Sequence, residues 1–342
     1  MMDRDFQPKV AILILNWNGG KDTVDCLESV RKLSYSHFQV VVLDNGSEDD
    51  SVELIKMWCR ENMVCVEYDR ETAESGGQSD VENSLLSQSL EPALVLIKTQ
   101  KNLGFAEGNN VAITYALRCA QPADYVFLLN NDTWIDPDCL TQAVGVSRKK
   151  RADVVGCVIK ESKTGRLLFS GDHRPPHLFY VSYRWFRHEL QGDEPSNMVW
   201  GTAMLVHQKV LRELDNIHGS FFNHKLFLYA EDYDFCFKIK KMGYKIFLAH
   251  KALVYHKHKE SCVRRRYQNS FCLYYSTRNT ILVAKKYLSG IWLFLFNGYY
   301  PLVKIKDLII KLRDGKPHEA VYLLKGLKDG YFNVYGKWKE HS

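Results

Sequence analysis

Residues 10–15 (VAILIL) and residues 40–44 (VVVLD) are two short apolar runs of the kind that form buried β-strands. Each run is followed by a turn sequence rich in Asn and Gly. Residues 21–33 and residues 51–61 place apolar side chains at helical spacing. This alternation of strand, helix, strand and helix predicts a parallel, doubly wound α/β sheet. In such a sheet, ligands bind at the carboxyl ends of the strands.

The same alternation continues as far as residue 255. The further predicted elements are, in order, strand 93–98, helix 108–120, strand 124–132, helix 136–150, strand 154–159, a strand leading into a helix at 200–214, and a helix followed by a strand at 230–249. We therefore expect residues 1–255 to form one α/β domain whose mostly parallel sheet is flanked by helices. Residues 256–342 are expected to form a mostly helical, basic C-terminal region.

Two stretches interrupt this pattern. Residues 69–92 hold six acidic residues against one Arg and few large apolar side chains. For this reason we predict a largely mobile, acidic insertion there. Residues 161–200 are aromatic, basic and Pro-containing, without a clear period, so that they predict no particular element.

Composition excludes several classes of protein. The chain has 342 residues, of which 46% are hydrophobic and 25% charged, as in ordinary globular domains. Its nine cysteines include no C-x-x-C pair, which argues against a zinc finger or a disulfide scaffold and favours a reduced protein of the cytoplasm. Residues 285–342 hold 11 Lys and Arg against 5 Asp and Glu, a difference that equals the whole net charge of +6. We therefore expect no nucleic-acid partner, since such partners require a basic stripe through the fold.

The C-terminal region contains an apolar, aromatic-rich stretch at residues 287–303. A membrane-spanning helix needs about 20 apolar residues, and this stretch is shorter and is interrupted by Pro301. We predict a helix at a membrane surface, where neighbouring lysines would meet anionic headgroups. The alternative is an ordinary core helix with a solvated basic face. Because the N-terminus has no signal-peptide pattern, we expect a cytoplasmic protein at the inner face of the cell membrane.

Three polar clusters lie at predicted strand ends or helix starts. They are Asp44-Asn45, Asn130-Asn131-Asp132 and Glu231-Asp232-Tyr233-Asp234. Any one of them alone is explained as a turn or a helix cap. Since the carboxyl edge of a parallel sheet gathers such residues into one cleft, the three together predict a ligand site.

These clusters belong to a set of segments that resembles the family 2 glycosyltransferases of the GT-A fold, in particular the rhamnosyltransferase-like branch. The matching segments are ILNWNG, VVVLDNGSEDDS, NLGFAEGNN, FLLNND, GTAML, FLYAEDYDFCFKIKKMGY, VYHKHKES and YYSTRNTILVAKKY. The resemblance implies an inverting, metal-dependent, non-processive transferase of the cell envelope. It would move a sugar from a UDP- or dTDP-sugar to a hydroxyl of a glycan or of a polyprenyl-linked glycan.

The resemblance also implies a nucleotide-sugar site. Asp44 would accept a hydrogen bond from the imide N–H of a uracil or thymine base. The other residues carried over to this site are Leu15, Asn16, Asn18, Asn45, Asn102, Gly104, Asn109 and Asn131.

A divalent cation, Mn²⁺ or Mg²⁺, would bridge the diphosphate of the donor, and Asp132 would be its ligand. The residue two places earlier, Asn130, stands where the family motif has its first Asp. His256 matches a histidine that completes the coordination in the family, although His250 and His258 lie near it in the sequence.

The resemblance makes Asp232 the general base that takes the proton of the acceptor hydroxyl. Glu231 and Asp234 would orient Asp232 or contact the acceptor. The acceptor and sugar pocket would include Trp200, Gly201 and Thr202, with residues 161–200 on the acceptor side. The alternative for the acidic cluster is a structural helix cap.

Two other functions are alternatives to this transferase. A processive polysaccharide synthase would need spanning helices and a Q-x-x-R-W motif, and here Arg184-Trp185 follows Val181 in the place of Gln. A catalytically silent module that binds nucleotide sugars or glycans is the second alternative, since Asn130 weakens the metal motif. The acids Asp132 and Asp232 favour the enzyme over this module.

Overall fold

The computed structural model describes residues 7–82, 93–172, 191–257 and 268–338. Its strands are β1 (Val10–Asn16), β2 (Phe38–Asp44), β3 (Val64–Asp69), β4 (Ala93–Lys98), β5 (Tyr125–Asn130), β6 (Thr133–Ile135), β7 (Val154–Glu161), β8 (Leu167–Phe169), β9 (Glu194–Pro195), β10 (Ala203–His207) and β11 (Ile246–His256). Its helices are α1 (Gly20–Val30), α2 (Ser51–Asn62), α3 (Arg70–Glu74), α4 (Gly104–Arg118), α5 (Cys139–Lys150), α6 (Gln208–His218), α7 (Glu231–Lys241), α8 (Gln268–Tyr287), α9 (Gly290–Arg313) and α10 (Pro317–Tyr331).

The strands form one sheet with the order β3-β4-β2-β1-β5-β10-β7-β11-β6, in which β8 pairs with β7 and β9 with β11. The first five strands of this order are parallel. Their register aligns Asn16 with Asp44 and Leu15 with Asn130, so that the polar ends of β1, β2 and β5 meet at one edge. The predicted doubly wound, mostly parallel α/β sheet is thus confirmed.

The remaining strands make the sheet mixed. Strand β10 runs antiparallel to both β5 and β7, and β7 runs parallel to β11. The short strand β6 pairs antiparallel with the end of β11, where His256 faces Thr133. This pairing carries the end of β11 to the residues that follow β5.

Apolar side chains cover both faces of the sheet. In β1, Ala11 and Leu13 face helices α4, α6 and α7, whereas Ile12 and Ile14 face α1, α2 and α5. Burying a large aliphatic side chain contributes about 1.5–3 kcal/mol, and two filled faces explain why these strands are continuously apolar. The sheet is therefore the middle of three layers.

The C-terminal helices pack together and against the rest of the fold through aromatic side chains. Tyr274 and Tyr275 of α8 form a buried cluster with Tyr322 of α10. A second cluster joins α8 to Phe296 and Tyr300 of α9. In the described residues, no helix has the length and apolar character that crossing a membrane requires.

Helix α9 exposes a row of large apolar side chains, which we call the α9 stripe. At 3.6 residues per turn, the spacing of its members places them all on one side of the helix. They are Ile291, Phe294, Leu295, Leu302, Ile305, Ile309 and Leu312. The predicted helix at 287–303 corresponds to the first part of α9, although Tyr287 itself ends α8.

Several sequence predictions need correction. The sequence gives no prediction for strand β3. The predicted loop from residue 69 is wrong at its start, because residues 70–74 form helix α3. Asp69 caps this helix by accepting a hydrogen bond from Thr72 N. Residues 83–92 of that insertion lie outside the described residues. Helix α4 begins at Gly104 rather than at residue 108, and Asn102 Oδ1 accepts a hydrogen bond from Gly104 N at its start.

In the stretch 161–200, the structure contains strands β8 and β9, which had no sequence signal because each is only two or three residues long. Residues 173–190 lie outside the described residues, and with them Val181, Arg184 and Trp185. His258 also lies outside the described residues.

Candidate active site

The side chains of Asn16, Asp44 and Ser47 form a hydrogen-bonded group at the carboxyl ends of β1 and β2. Asp44 Oδ1 accepts from Asn16 Nδ2 at 2.7 Å and from Ser47 Oγ at 2.6 Å. Asp44 Oδ2 accepts from Ser47 N at 3.1 Å. A carboxylate offers about four lone-pair sites, so Asp44 retains capacity for one further donor. Sequence reasoning missed Ser47, although the turn Asn45-Gly46-Ser47 after an apolar strand was the signal.

A second group joins β1 to the residue after β5. Thr23 Oγ1 donates to Asn16 Oδ1 at 2.8 Å, and Asn131 Nδ2 donates to Thr23 Oγ1 at 3.1 Å. A Cβ at Gly19 would lie 2.7 Å from Asn131 Nδ2, so a side chain there would displace the Asn131 amide. Asn16 and Asn131 are therefore brought together as predicted neighbours, through Thr23, which sequence reasoning missed.

Asn18 occupies the left-handed region, with φ of 50°. Its Oδ1 accepts from Glu48 N at 2.7 Å, which fixes the orientation of the amide. In the part of the chain that the structure describes, the buried Asn18 Nδ2 has no hydrogen-bond partner. Since an unsatisfied buried donor is costly, it points to an acceptor on a ligand.

The loop before α4 is tied to β2 by amides. Asn45 Oδ1 accepts from Leu103 N at 2.9 Å, and Asn45 Nδ2 donates to Gly104 O at 3.1 Å and to Asn102 Oδ1 at 3.2 Å. Asn109 does not join this group through its hydrogen bond, since its Nδ2 donates to Phe105 O within α4.

Leu15 and Gly104, both predicted for the nucleotide-sugar site, each make a close packing contact near this loop. A Cβ at Gly108 would lie 2.6 Å from Leu15 Cδ1, so α4 packs directly on the end of β1. Gly104 has φ of +84°, and a Cβ there would lie 2.4 Å from Phe227 O. The loop thus links the nucleotide side of the sheet to the segment before α7.

Asp132 and His256 form a buried pair. His256 Nε2 lies 2.9 Å from Asp132 Oδ1, and Lys257 N donates to Asp132 O at 2.9 Å. The pairing of β6 with β11 brings the two together. His250 does not take part, because its Nδ1 lies 2.8 Å from Asp193 Oδ1.

The pair fits a divalent cation in part. A carboxylate oxygen and an imidazole nitrogen are both ligands that Mn²⁺ accepts. Within the described ranges, no group of three or more His, Cys, Asp and Glu side chains could hold a metal ion. A cation at Asp132 and His256 would therefore need phosphate and water oxygens to complete its coordination.

Glu231 and Asp232 begin α7. Asp232 Oδ1 accepts from Tyr233 N at 2.8 Å, and Asp232 Oδ2 accepts from Gly201 N at 3.3 Å. Burial raises the pKa of Asp232 to about 6. Burial and then the charge of Asp232 raise the pKa of Glu231 to about 8. Because both pKa values are raised and the two carboxyl groups are coupled, ionisation of one opposes ionisation of the other.

Asp234 does not join these two carboxyl groups. Its fully buried side chain accepts from Lys286 Nζ at 2.5 Å and from Tyr287 Oη at 3.1 Å. Because both donors belong to α8, the contacts of Asp234 fasten α7 to the C-terminal helices. This geometry favours a structural role over the predicted acceptor contact.

The backbone of residues 200–202 connects the start of α7, which carries Asp232, to Asn130 at the end of β5. Trp200 stacks on Phe169, with ring centroids 4.6 Å apart. Gly201 N bonds to Asp232, whereas Thr202 O accepts from Asn130 N at 2.9 Å. One short stretch of backbone therefore holds the start of α7 next to the end of β5.

The segment before α7 is strained. Phe227, Tyr229 and Ala230 have φ of 66°, 67° and 68°. Non-glycine residues in this region cost of order 1–3 kcal/mol each and persist only where neighbouring structure holds them. Such strain directly before Glu231 is typical of a functional site.

Comparisons with known proteins agree with this architecture. The model of Glycosyl transferase family 2 matches residues 11–215, and that of Glycosyl transferase family group 2 matches residues 125–313. Among curated proteins, none matches. The mannosyltransferase PcManGT from Pyrobaculum calidifontis, solved with GDP-Man and Mn²⁺, has 16% identity over 97% of this chain and 89% of its own, with a TM-score of 0.54. GalNAc-T7, solved with UDP, GalNAc and Mn²⁺, has 12% identity and a TM-score of 0.56 over 97% of this chain and 57% of its own.

The fold is therefore of the GT-A type. The chain belongs to glycosyl transferase family 2, since the model of that family covers more than half of it. It is a glycosyltransferase that takes its sugar from a nucleotide-sugar donor.

Proposed function

We propose that the protein is an inverting, metal-dependent, non-processive transferase. It moves a hexose or deoxyhexose from a UDP- or dTDP-sugar to a hydroxyl of a glycan or polyprenyl-linked glycan. The observation that carries this proposal is the position of Asp232 at the start of α7, where the backbone N–H groups of Gly201 and Tyr233 hold its carboxylate next to Glu231. A half-buried carboxylate with a raised pKa, held in place by two backbone N–H groups, is suited to act as a general base.

The proposed reaction is a single displacement. The acceptor hydroxyl oxygen attacks the anomeric carbon from the side opposite the diphosphate, and the bond from that carbon to the diphosphate oxygen breaks. Asp232 takes the hydroxyl proton, and the diphosphate leaves with the electron pair. Backbone N–H groups of Gly201 and Tyr233 orient the carboxylate. One displacement inverts the anomeric configuration, so that no enzyme nucleophile is required.

Asp132 and His256 are the residues that would hold a divalent cation. When bound, Mn²⁺ or Mg²⁺ would offset the negative charge that grows on the leaving diphosphate. Support comes from the 2.9 Å approach of the two side chains and from the Mn²⁺ in the two related structures. The orphaned Asn18 Nδ2, at the ends of β1 and β2, would donate to the donor nucleotide.

Asp44 would read the base of the donor nucleotide. An ionised carboxylate only accepts hydrogen bonds, and the imide edge of uracil or thymine presents an N–H donor. PcManGT was solved with a guanine nucleotide sugar, so the class of base needs a direct test. The sequence resemblance to the rhamnosyltransferase-like branch includes deoxyhexoses such as rhamnose among the donor sugars to be tested.

We also propose that the α9 stripe rests on an anionic membrane at the cytoplasmic face. The stripe exposes Phe294 (72%), Leu302 (66%) and Ile309 (60%) to solvent. Lys304, Lys306, Lys311 and Arg313 lie on the same helix. Apolar side chains with adjacent cations are typical of helices that lie in a membrane interface. A lipid-linked acceptor would then be delivered at the surface where the enzyme is bound.

Calorimetric titration of UDP, dTDP and GDP, with and without Mn²⁺, tests the donor site. Tight binding of UDP or dTDP that depends on Mn²⁺ is expected. If GDP alone binds, the assignment of the base to Asp44 is wrong.

Transfer is tested with Asp232→Asn, which should keep donor binding and lose sugar transfer. Asp234→Asn is the control, because its carboxyl group bonds to α8. Full transfer by Asp232→Asn would remove Asp232 as the base. Donor binding without any transfer by the native chain, over a panel of acceptors, would favour the silent binding module.

A further inference from the structure

Arg278 and Asn279 are two adjacent residues of α8 that the proposed function leaves without a role. Both are fully buried. Polar and charged side chains are seldom buried unless they are bonded to specific partners. Their position in the segment YYSTRNTIL, far along the chain from the acidic clusters, gives no hint of those partners.

The partners are backbone carbonyls of the strained segment. Asn279 Nδ2 lies 2.8 Å from Leu226 O, 2.7 Å from Leu228 O and 2.8 Å from Tyr229 O. An amide has two N–H groups, so the three carbonyls share two protons. Arg278 Nε donates to Asn279 Oδ1 at 2.8 Å, which turns the Asn279 NH₂ group towards the segment. Arg278 Nη2 donates to Leu226 O at 2.9 Å.

This contact lies directly before the catalytic carboxyl groups. Tyr229 and Ala230 both adopt φ above 60°, and Glu231 is the next residue. Without outside support, the chain would relax from the left-handed region towards ordinary backbone angles. Relaxation at Ala230 would change the direction in which α7 starts and hence the place of Asp232.

We propose that Asn279 and Arg278 are positioning residues, which hold residues 226–230 in the conformation that gives Phe227, Tyr229 and Ala230 positive φ, and so place Asp232 for proton transfer. This inference rests on the proposed role of Asp232 as general base. It gives the C-terminal helices a part in catalysis, because α8 supplies the side chains that shape the segment before α7.

Asn110 offers a matched control. It is a buried asparagine of α4 that bonds to the same stretch of chain, with Asn110 Nδ2 donating to Phe222 O at 3.0 Å and Phe222 N donating to Asn110 Oδ1 at 2.8 Å. Its contact is upstream of the strained residues. Loss of the Asn110 side chain should therefore lower stability without changing the direction in which α7 starts.

The test compares Asn279→Ala with Asn110→Ala. In Asn279→Ala, kcat for transfer should fall by about 10- to 100-fold, since misplacement by about 1 Å has effects of this size. The KM for the nucleotide sugar should change less than kcat, because Asp44 is held by Asn16 and Ser47, and the acid limb of the kcat–pH profile should move. Asn110→Ala should lower Tm and leave that acid limb in place.

Ala230→Gly provides a second variant. Glycine adopts positive φ freely, so adding Ala230→Gly to Asn279→Ala should recover part of the lost kcat. Ala230→Gly alone should raise Tm, and a lower Tm would contradict the strain that the proposal requires. If the two asparagine variants lose activity only in proportion to their loss of Tm, Asn279 is merely structural and the proposal is overturned.

Hydrogen exchange separates this inference from the proposed function. Amides of residues 226–232 should exchange faster in Asn279→Ala than in Asn110→Ala, whatever the activity. Unchanged exchange in that peptide overturns the positioning role even if Asp232 is the base. If exchange is faster in Asn279→Ala but the native chain transfers no sugar, Asn279 does hold the segment and the proposed reaction is rejected.

Discussion

His256 Nε2 lies 2.9 Å from Asp132 Oδ1, although 124 residues separate the two along the chain. The pairing of β6 with β11 creates this contact, since His256 faces Thr133 across the two strands. The backbone N–H of Lys257 adds a hydrogen bond to the carbonyl of Asp132. A mixed sheet edge thus assembles the pair that we assign to the cation.

Changing His256→Ala should weaken Mn²⁺-dependent binding of the donor nucleotide by about tenfold or more, because a buried ligand is lost. Isothermal titration of UDP with Mn²⁺ measures the effect, and His250→Ala, whose imidazole bonds to Asp193, is the control. Equal Mn²⁺ dependence in both variants would show that His256 is not a ligand.

The rate of transfer should depend on the ionisation of Asp232. Its pKa is raised to about 6 by burial, so kcat should rise as the pH passes about 6 and the base loses its proton. A kcat–pH profile from about pH 5 to pH 8 measures this. Glu231→Gln, which mimics the protonated neighbour, should keep the acid limb. A flat profile in the unmodified chain would contradict the assignment.

Glu231 should also make folding depend on pH. Its pKa is raised from 4.5 to about 8 in the folded chain, so the folded state holds this proton more tightly than the unfolded state does. Its contribution to stability is therefore present below about pH 4.5 and is lost as the pH rises through about 8. Between about pH 4.5 and pH 8, Tm should fall less in Glu231→Gln than in the native chain. Equal dependence of Tm on pH in the two proteins would refute the role of Glu231.

Gly104 should tolerate no side chain. Its φ of +84° and the 2.4 Å that would separate an added Cβ from Phe227 O both oppose alanine. Gly104→Ala should cost at least about 1–2 kcal/mol of unfolding free energy, measured by urea denaturation. Gly298 of α9 is the control, because a Cβ there meets nothing within 4 Å. Gly298→Ala should be neutral or stabilising by up to about 1 kcal/mol; similar losses in both would be unexpected.

Lys286 should support the fold rather than the reaction. Lys286→Met leaves the buried Asp234 carboxylate with Tyr287 as its remaining side-chain donor among the described residues. A buried carboxylate that loses its charged partner lowers the free energy of unfolding by about 1–3 kcal/mol. We therefore expect Tm to fall, while kcat of the folded enzyme changes little. The exposed Lys306 is the control. A selective loss of kcat at unchanged Tm would instead restore Asp234 to the acceptor site.

The α9 stripe should bind anionic vesicles. The double change of Phe294→Asp and Leu302→Asp removes two exposed apolar side chains, each able to contribute about 1.5–3 kcal/mol when buried. Sedimentation with phosphatidylglycerol vesicles should show the native chain bound and the double variant free. Ile217→Asp, which changes an exposed residue of α6, is the control. A native chain that self-associates through the stripe and ignores vesicles would refute the membrane contact.

The sequence by itself determined the α/β class and the polar ends of the parallel strands. These features depend on local patterns, in which a short apolar run followed by Asp or Asn places that residue at a strand end. Asp44 and Asn131 were therefore found at one edge of the sheet, next to Asn16. The short strands β6, β8 and β9 were not predicted, because two or three residues are too few to show the apolar pattern of a strand.

Only the tertiary structure decided which polar residues act together. Linear spacing could not separate Asp232 from Asp234, since their difference comes from burial and from the α8 residue Lys286. Nor could it choose His256 over His250, or reveal that Asn279 holds the carbonyls before α7. Hydrogen bonds and desolvation depend on distances between remote parts of the chain, and those distances exist only once the sheet and the C-terminal helices have packed.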